Sequence, residues 1–491
     1  VRLATEALLG ALDERGFFDF TIPAEFGLQI LDLKLVDAVD NEFHEPHSFI
    51  AAWAYGTVRT TTVLGLSQTA VDLLADELGA GLGPLLSEDG PSEPVYESFL
   101  ADVFIDSYEF PGSTDISLAL TDQGIRVVLV VNEPVVVNGR VDAGPLSNFR
   151  ATIANVRIEG LVKTAVVRGK TEVSVEGVSV SSAAPDITVD GGLIPDAVFE
   201  WMVGNIEEPV AEAVTLELPS VLEEVIASAA GQFDVNVPNQ SYDLVGRYSL
   251  DAIRVHKSGA ELVLATTVDV PDGDGPGAPI SDYTVGAMPV AQDAVLIELN
   301  TLNQYLFALW RAGAFERSYD ETELEDVLGK NVPGLDKLDP VIDVRFTALR
   351  PPVATAAANG LELSIGRAEL VVSIDTEFFQ VVARGQIAAR AEVVGAVDSY
   401  SLSPKVSLTE VYVDIDQHAF AGLDTERLEA LVQGAVPKLM DEWAKKIRDI
   451  KLPRLELDGL GTPGRYFGLE AAEGGSTAAG ITLTGVAAAG Q

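Results

Sequence analysis

The chain has 491 residues, 75 of them acidic and 32 basic, for a formal net charge of −43, with four histidines and no cysteine. That charge repels polyanions over most of the surface and opposes docking on an anionic bilayer, which disfavours nucleic acid as a partner. Without cysteine there is neither a disulfide nor a thiolate metal site, so stability must come from packing, and a chain of this length can bury a core across two large domains.

The acidic coat suits a protein that lives in high salt. No uninterrupted apolar run approaches the roughly 18 residues of a membrane-crossing helix, and a first residue of Val1 leads us to expect a processed or trimmed product that has lost a signal or lipid anchor.

Residues 1–57 read as an N-terminal extension: a short helix from Val1 to Leu12, the alternating stretch FGLQILDLKLVDAVD from Phe26, and an aromatic stretch through Trp53 and Tyr55. Within it His44, Glu45 and His47 form HEPH, two imidazoles and a carboxylate that zinc could accept. Pro46 and the short spacing rule out the helical i, i+4 pair of hydrolytic zinc helices, so no metal is assigned.

A longer helix is expected next, with Val63, Leu66, Leu73, Leu74, Leu78, Leu82 and Leu85 on one side and Gly79, Gly81, Gly83 and Pro84 weakening its end. From Ile116 to Val189 the period becomes two, and Val173, Val175, Val178 and Val180 alternate around Glu176-Gly177. These are antiparallel strands of a meander or barrel, punctuated by Asp122-Gln123-Gly124 and Asn138-Gly139.

Helical spacing returns after Gly192, where Pro195 suits a first turn and Val198, Phe199, Trp201, Met202 and Ile206 cluster. Pro209 and Pro219 should divide the next stretch of chain, and Val221, Leu222, Val225 and Ile226 make another helical segment. Strands resume at Tyr242, and VPDGDGPGAPISD (270–282) is the clearest linker. Its Asp272 and Asp274 resemble half a calcium loop that lacks its completing acid.

Beyond the linker the order repeats: a strand at Val295 to Glu298, a helix, alternating strands from Ile342 to Ile415, a long helix from Thr425 and final strands, which hints at an internal duplication. In LNQYLFALWRAGAF (302–315), Leu302, Tyr305, Leu306, Leu309 and Trp310 form an apolar stripe, Asn303, Gln304 and Arg311 take the wet side, and Gly313 supplies the stop. The late helix has Asp424 as N-cap, an apolar side from Leu428 to Ile447, a kink at Pro437, and Lys445, Lys446 and Arg448 near its end.

From about Thr57 to the end, the chain resembles the bactericidal/permeability-increasing, lipopolysaccharide-binding and cholesteryl-ester-transfer proteins of the tubular lipid-binding (TULIP) superfamily. The resemblance rests on VEGVSVSS, the Pro/Gly linker, NTLNQYLFALWRAGAF, RPPVATAAANGLELSIG and LPRLELDGLG. It implies an α+β, boomerang-like molecule of two similar elongated antiparallel β-barrels, each capped by long helices, joined by a central sheet and holding a lipid. The expected division is an extension at 1–57, an N-terminal lipid-binding barrel at 58–269, a linker at 270–285 and a C-terminal barrel at 286–491. It also implies an extracytoplasmic location, whether periplasmic, outer-surface or secreted. Host-defence members carry a basic tip and a disulfide, and this acidic, cysteine-free chain departs from them.

Apolar helix stripes over curved sheets make cavities that acyl chains fill, and about sixteen buried methylenes at about 0.8 kcal/mol each give on the order of 13 kcal/mol before entropy costs. The expected lipid-wall residues are Leu66, Leu73 and Leu78 with Phe199, Trp201 and Ile206, then Leu306, Leu309 and Trp310 with Leu431, Leu439 and Trp443. No nucleophile elbow, P-loop or dinucleotide fingerprint is present, and His256 and His418 stand alone in strand-like settings. The reading is therefore a non-enzymatic lipid-binding or lipid-transfer protein with no cofactor and with phospholipid or fatty acid as ligand. Residues 1–57 are the segment expected to touch a membrane or a larger assembly. The alternative is a structural or adhesive surface protein whose barrels are solid; a hydrolase using HEPH comes third.

Overall fold

A computed structural model describes residues 28–39, 46–56, 61–87, 90–111, 114–144, 146–191, 194–235, 237, 244–269, 292–319, 341–349, 351–357, 360–375, 380–398, 400–417, 450–458, 464–477 and 480–490. The expected opening helix, His44 and Glu45, the Pro/Gly linker with Asp272 and Asp274, and the late helix with Leu431, Leu439 and Trp443 lie outside these residues.

A hairpin of β1 (Leu28–Val39) and β2 (Pro46–Gly56) precedes β3 (Thr61–Leu66) and helix α1 (Gln68–Leu85). Nine strands come next: β4 (Tyr96–Glu97), β5 (Asp102–Glu109), β6 (Asp115–Thr121), β7 (Gly124–Val131), β8 (Val135–Asp142), β9 (Leu146–Ile153), β10 (Val156–Val167), β11 (Lys170–Ser181) and β12 (Asp186–Asp190). Helices α2 (Asp196–Asn205) and α3 (Glu207–Ala227) lead to β13 (Gly231–Val235), β14 (Leu244–His256) and β15 (Gly259–Asp269). The later part runs β16 (Ala294–Glu298), α4 (Leu299–Arg311), β17 (Glu316–Tyr319), β18 (Val341–Ala348), β19 (Val353–Ala357), β20 (Gly360–Asp375), β21 (Gln380–Asp398) and β22 (Ser401–Gln417). It closes with β23 (Ile450–Lys451), β24 (Leu455–Glu456), β25 (Tyr466–Thr477) and β26 (Gly480–Gly490). The described protein is thus mostly antiparallel sheet with few helices.

Two sheets of the earlier part, ordered β11-β10-β7-β6 and β12-β9-β8-β5-β4, match strand for strand, because β5 leads into β6, β7 into β8, β9 into β10 and β11 into β12. Four long strands therefore bend together at one corner, and the surface curls into a half-barrel. Pro134 and Pro185 sit in the bend, where a missing N–H costs no ladder bond, and Asn155 turns there with φ 56°. Ala183 N donates to Ala154 O at 2.9 Å and keeps adjacent corners bonded.

In the later part β18 and β19 both pair with β20, making one long strand interrupted at 349–352, beside β20, β21 and β22. Pro351 and Pro352 account for the interruption. A central sheet then runs β13-β14-β15-β3-β16-β26-β25, so that β3 and β16 pair antiparallel in its middle, Val63 opposite Leu296. On either side of that pair lie the equivalent closing strands, β15 and β14 to one hand and β26 and β25 to the other.

Five expectations need correction. Val63 and Leu66 belong to β3 and not to a helix, because their segment is buried on both faces between β15 and β16 and its strand ladder satisfies the backbone. The helix after it runs through Gly79 to Leu85; a Cβ at Gly79 would lie 2.3 Å from Thr114 O, so glycine admits the strand corner, whose Thr114 N and Oγ1 both donate to Gly79 O. Asn138-Gly139 lies inside β8, where a Cβ on Gly139 would meet Phe104 O and the Phe149 ring. Pro209 and Pro219 leave α3 whole: Pro209 occupies the first turn, where its missing N–H has no helical partner, and Pro219 is carried by tertiary packing.

The "wet" side of α4 is also buried: Asn303 is 0% exposed and Gln304 2%. Asn303 Nδ2 donates to Ala354 O (3.0 Å) while its Oδ1 accepts from Ala354 N (2.7 Å), on the side of β19 that has no strand neighbour among the described residues. The earlier half does the same: Gln68 Nε2 donates to Leu118 O (2.6 Å) and its Oε1 accepts from Leu120 N (2.9 Å) on edge strand β6. The helix stop at Gly313 is as expected, with φ 77°.

Replacing Asn303 by Leu should cost about 2–3 kcal/mol in equilibrium unfolding, because two buried backbone groups of Ala354 lose their partner. A loss under about 0.5 kcal/mol would show the clamp idle. Glu298, at the end of β16, is 2% exposed with Oε1 unpartnered, and desolvation holds its carboxyl above the usual range despite hydrogen bonds to Thr61. A raised acid pKa means the folded state keeps a proton the unfolded chain has lost, so this group destabilises as pH rises through the folded value. Glu298→Gln should therefore gain stability relative to the parent at pH 8, with the difference shrinking toward pH 4; a pH-independent difference would contradict it.

Candidate functional site

Helix α3 roofs the concave side of the β11-β10-β7 surface. Its residues Val210, Val214, Leu218, Val221 and Val225 recur at helical spacing and are buried, while Glu208, Glu212, Leu216, Ser220 and Glu224 face solvent. The sheet answers with Val127 and Leu129 of β7, Ile158 of β10 and the valines of β11.

On β11 the valine alternation changes phase at Glu176-Gly177, and the register shows why: Glu176 faces Leu161 and Ser179 faces Glu159, so β11 carries one extra residue. Gly177 takes φ 64°, which glycine adopts without strain. The bulge returns Val178 and Val180 to the face that Val173 and Val175 occupy. All four therefore point under the roof.

Between roof and floor a narrow crevice remains, whose enclosed space of about 10 Å³ is room for about one water molecule. Val127, Leu129, Ile158, Val175 and Val178 form the floor, and Val214, Thr215 and Leu218 the roof. Gly160 widens it from below, since a Cβ there would come within 2.8 Å of Val175 Cγ1. The lining is almost wholly apolar; Glu159, whose carboxylate is held by Arg126 and Arg157, also borders it.

Glu159 receives hydrogen bonds from Arg126 (2.8 Å) and Arg157 (2.8 Å), which hold its carboxyl below the usual range. Tyr108, beside α3, is pushed up to about 12 by burial and then by the charge of Glu212. At the edge, Glu223 Oε1 of α3 accepts from Val173 N (2.8 Å), pinning the roof to β11. Pro219 interrupts the roof's hydrogen bonding next to Leu218, and Thr215 Oγ1 turns to Ala211 O (2.7 Å) one turn earlier.

The expected wall residues are placed elsewhere. Leu66, Leu78, Ile206 and Leu309 are buried in the continuous core, with Leu306 half-buried against it. Leu73 and Phe199 are exposed at 42% and 39%. Trp201 stacks on Tyr96 (4.6 Å between centroids), and Trp310 Nε1 donates to Ala348 O (2.7 Å). None of the described nine borders the crevice, whose strands were legible as alternation and whose roof was obscured by reading two prolines as breaks. Of HEPH, His47 lies in β2, and no grouping of three His, Asp or Glu suited to a metal occurs among the described residues.

No protein-family model and no curated protein matches the chain. Among solved structures it is similar to the crystal structure of a lipopolysaccharide binding protein, with a TM-score of 0.46 and 12% identity over 88% of this chain and 99% of that one.

Glu223→Ala should expose the Val173 amide to exchange and cost about 1–2 kcal/mol, because an ionised acceptor leaves a strand edge. Unchanged exchange at Val173 would mean that packing alone seats the roof.

Proposed function

We propose that the chain is a non-enzymatic lipid-binding or lipid-transfer protein, built of two similar barrels about the central sheet, that holds acyl chains beneath helices such as α3. The observation that supports this most is the apolar crevice under α3. Its enclosed space of about 10 Å³ is far below that of a ligand pocket, so the reading requires the roof to lift at its weak point beside Pro219 before a chain can enter. Phospholipid or fatty acid is the ligand class; the walls offer hydrocarbon contact and no charge for a polyanion.

Protein purified without detergent and extracted with organic solvent should yield lipid by mass spectrometry, and should take up a labelled fatty acid. Val214→Trp, which fills the crevice from the roof, should lower both by about tenfold while leaving the fold intact by circular dichroism. Lipid-free protein that also refuses labelled fatty acid would sink the reading. The alternative of a structural or adhesive protein draws on the β1–β2 hairpin, which among the described residues pairs only within itself. Such a protein would be lipid-free and would assemble with rising concentration.

A further inference from the structure

The end of the half-barrel away from the central sheet carries an apolar point that neither core nor crevice uses. The opposite ends of its strands meet the central sheet, where Lys257 N, beyond β14, donates to Asp122 Oδ1 at 3.2 Å. At the far end residues 98–101 close the β4–β5 hairpin as a tight turn. Ser98 N donates to Ala101 O (3.1 Å), and Ser98 Oγ accepts from Leu100 N (3.2 Å) and Ala101 N (3.1 Å). The fixed turn sends Phe99 and Leu100 outward, at 103% and 54% exposure. Leu146, 64% exposed, stands on the same rim, because Asp102 faces Asp142 across one ladder and Asp142 faces Leu146 across the next. The Tyr96–Trp201 stack braces this hairpin against α2.

We propose that this point is a wedge that inserts into a lipid bilayer of zwitterionic headgroups. Its size argues against a protein partner: three side chains on a convex rim cover far less than the roughly 800 Å² per side of a stable interface, whereas interfacial insertion needs only a few large apolar groups. Its surroundings select the headgroup. Glu97, Asp102 and Asp142 flank the point, and no residue of 91–102 or 142–148 is basic. Anionic lipid is repelled, while the ammonium of choline or ethanolamine finds carboxylates. The proposal rests on the acyl-carrier reading and deepens it by naming the bilayer from which chains are drawn.

Sedimentation of the full chain with phosphatidylcholine vesicles tests it. The parent should pellet with phosphatidylcholine more than with phosphatidylglycerol, and Phe99→Ser with Leu100→Ser should weaken that binding about tenfold or more while keeping its extractable lipid. Val214→Trp should lose lipid yet still bind vesicles, so the two readings fail separately. Vesicle binding unchanged by the double substitution, absence of binding to phosphatidylcholine, or preference for phosphatidylglycerol would overturn the wedge. So would self-association in vesicle-free solution that the double substitution abolishes.

Discussion

Strands β3 and β16 are buried on nearly every residue, so neither carries the alternation that usually decides which face of a strand points inward. Their register is held instead by polar contacts at both ends. Asp293 Oδ1 accepts from Ser67 N (2.7 Å) at one end, and Thr301 Oγ1 donates to Thr61 O (3.0 Å) at the other. Between them Thr62 Oγ1 meets Thr266 Oγ1 at 2.8 Å inside the sheet. A slip of β16 along β3 would break the first two, a slip of β3 along β15 the third, and because β3 and β16 each lead directly into a helix, either would also misplace α1 or α4. The seam therefore fixes where the strands that follow each helix begin.

From that seam the two parts solve one problem with one device. A curled sheet has an edge, and an edge under a helix has backbone groups that water cannot reach. Gln68 in one part and Asn303 in the other each present an amide whose donor and acceptor match those of a strand. The cross-links between parts are likewise polar: Arg465 holds Glu77 of α1 through two nitrogens, and Tyr248 Oη, which accepts from Tyr305, donates to Lys451 O at 2.9 Å. Burial pushes both phenols well above their usual range, so the relay stays neutral and hydrogen-bonded.

What was legible in the residues was local period. The valines of β11 announced a strand, though its bulge at Gly177 emerged only from the register with β10; Leu302 to Trp310 announced α4 and Gly313 its stop. What was not legible depended on neighbours distant in the chain. Val63 and Leu66 fit a helical stripe equally well until β15 and β16 supply ladders on both sides. Asn303 looks solvated unless a strand edge 51 residues away is known to need it. Gly139 signals a turn by itself, yet Phe149 across the ladder occupies the space its side chain would take. The crevice escaped notice for the same reason: Pro219 reads as a break, and only the packed stripe from Val210 to Val225 shows that the helix carries it.

The proposed function requires the roof to be both present and movable. Helix α3 has no basic residue in its last turn, where Glu224 opposes the helix dipole, and it has a proline in its interior. Its own propensity therefore does little to hold it, and it persists because Val210, Val214, Leu218, Val221 and Val225 are buried on the sheet. An acyl chain entering between Leu218 and Ile158 would take away some of those contacts and return an equal apolar surface, leaving the helix as well covered as before. The same swap with a polar ligand would expose valines to unpaired groups and unseat the roof. Under the proposed function, a cover held by apolar area and by the single Glu223–Val173 hydrogen bond would favour hydrocarbon over a polar ligand, and the crevice would stay nearly closed when empty.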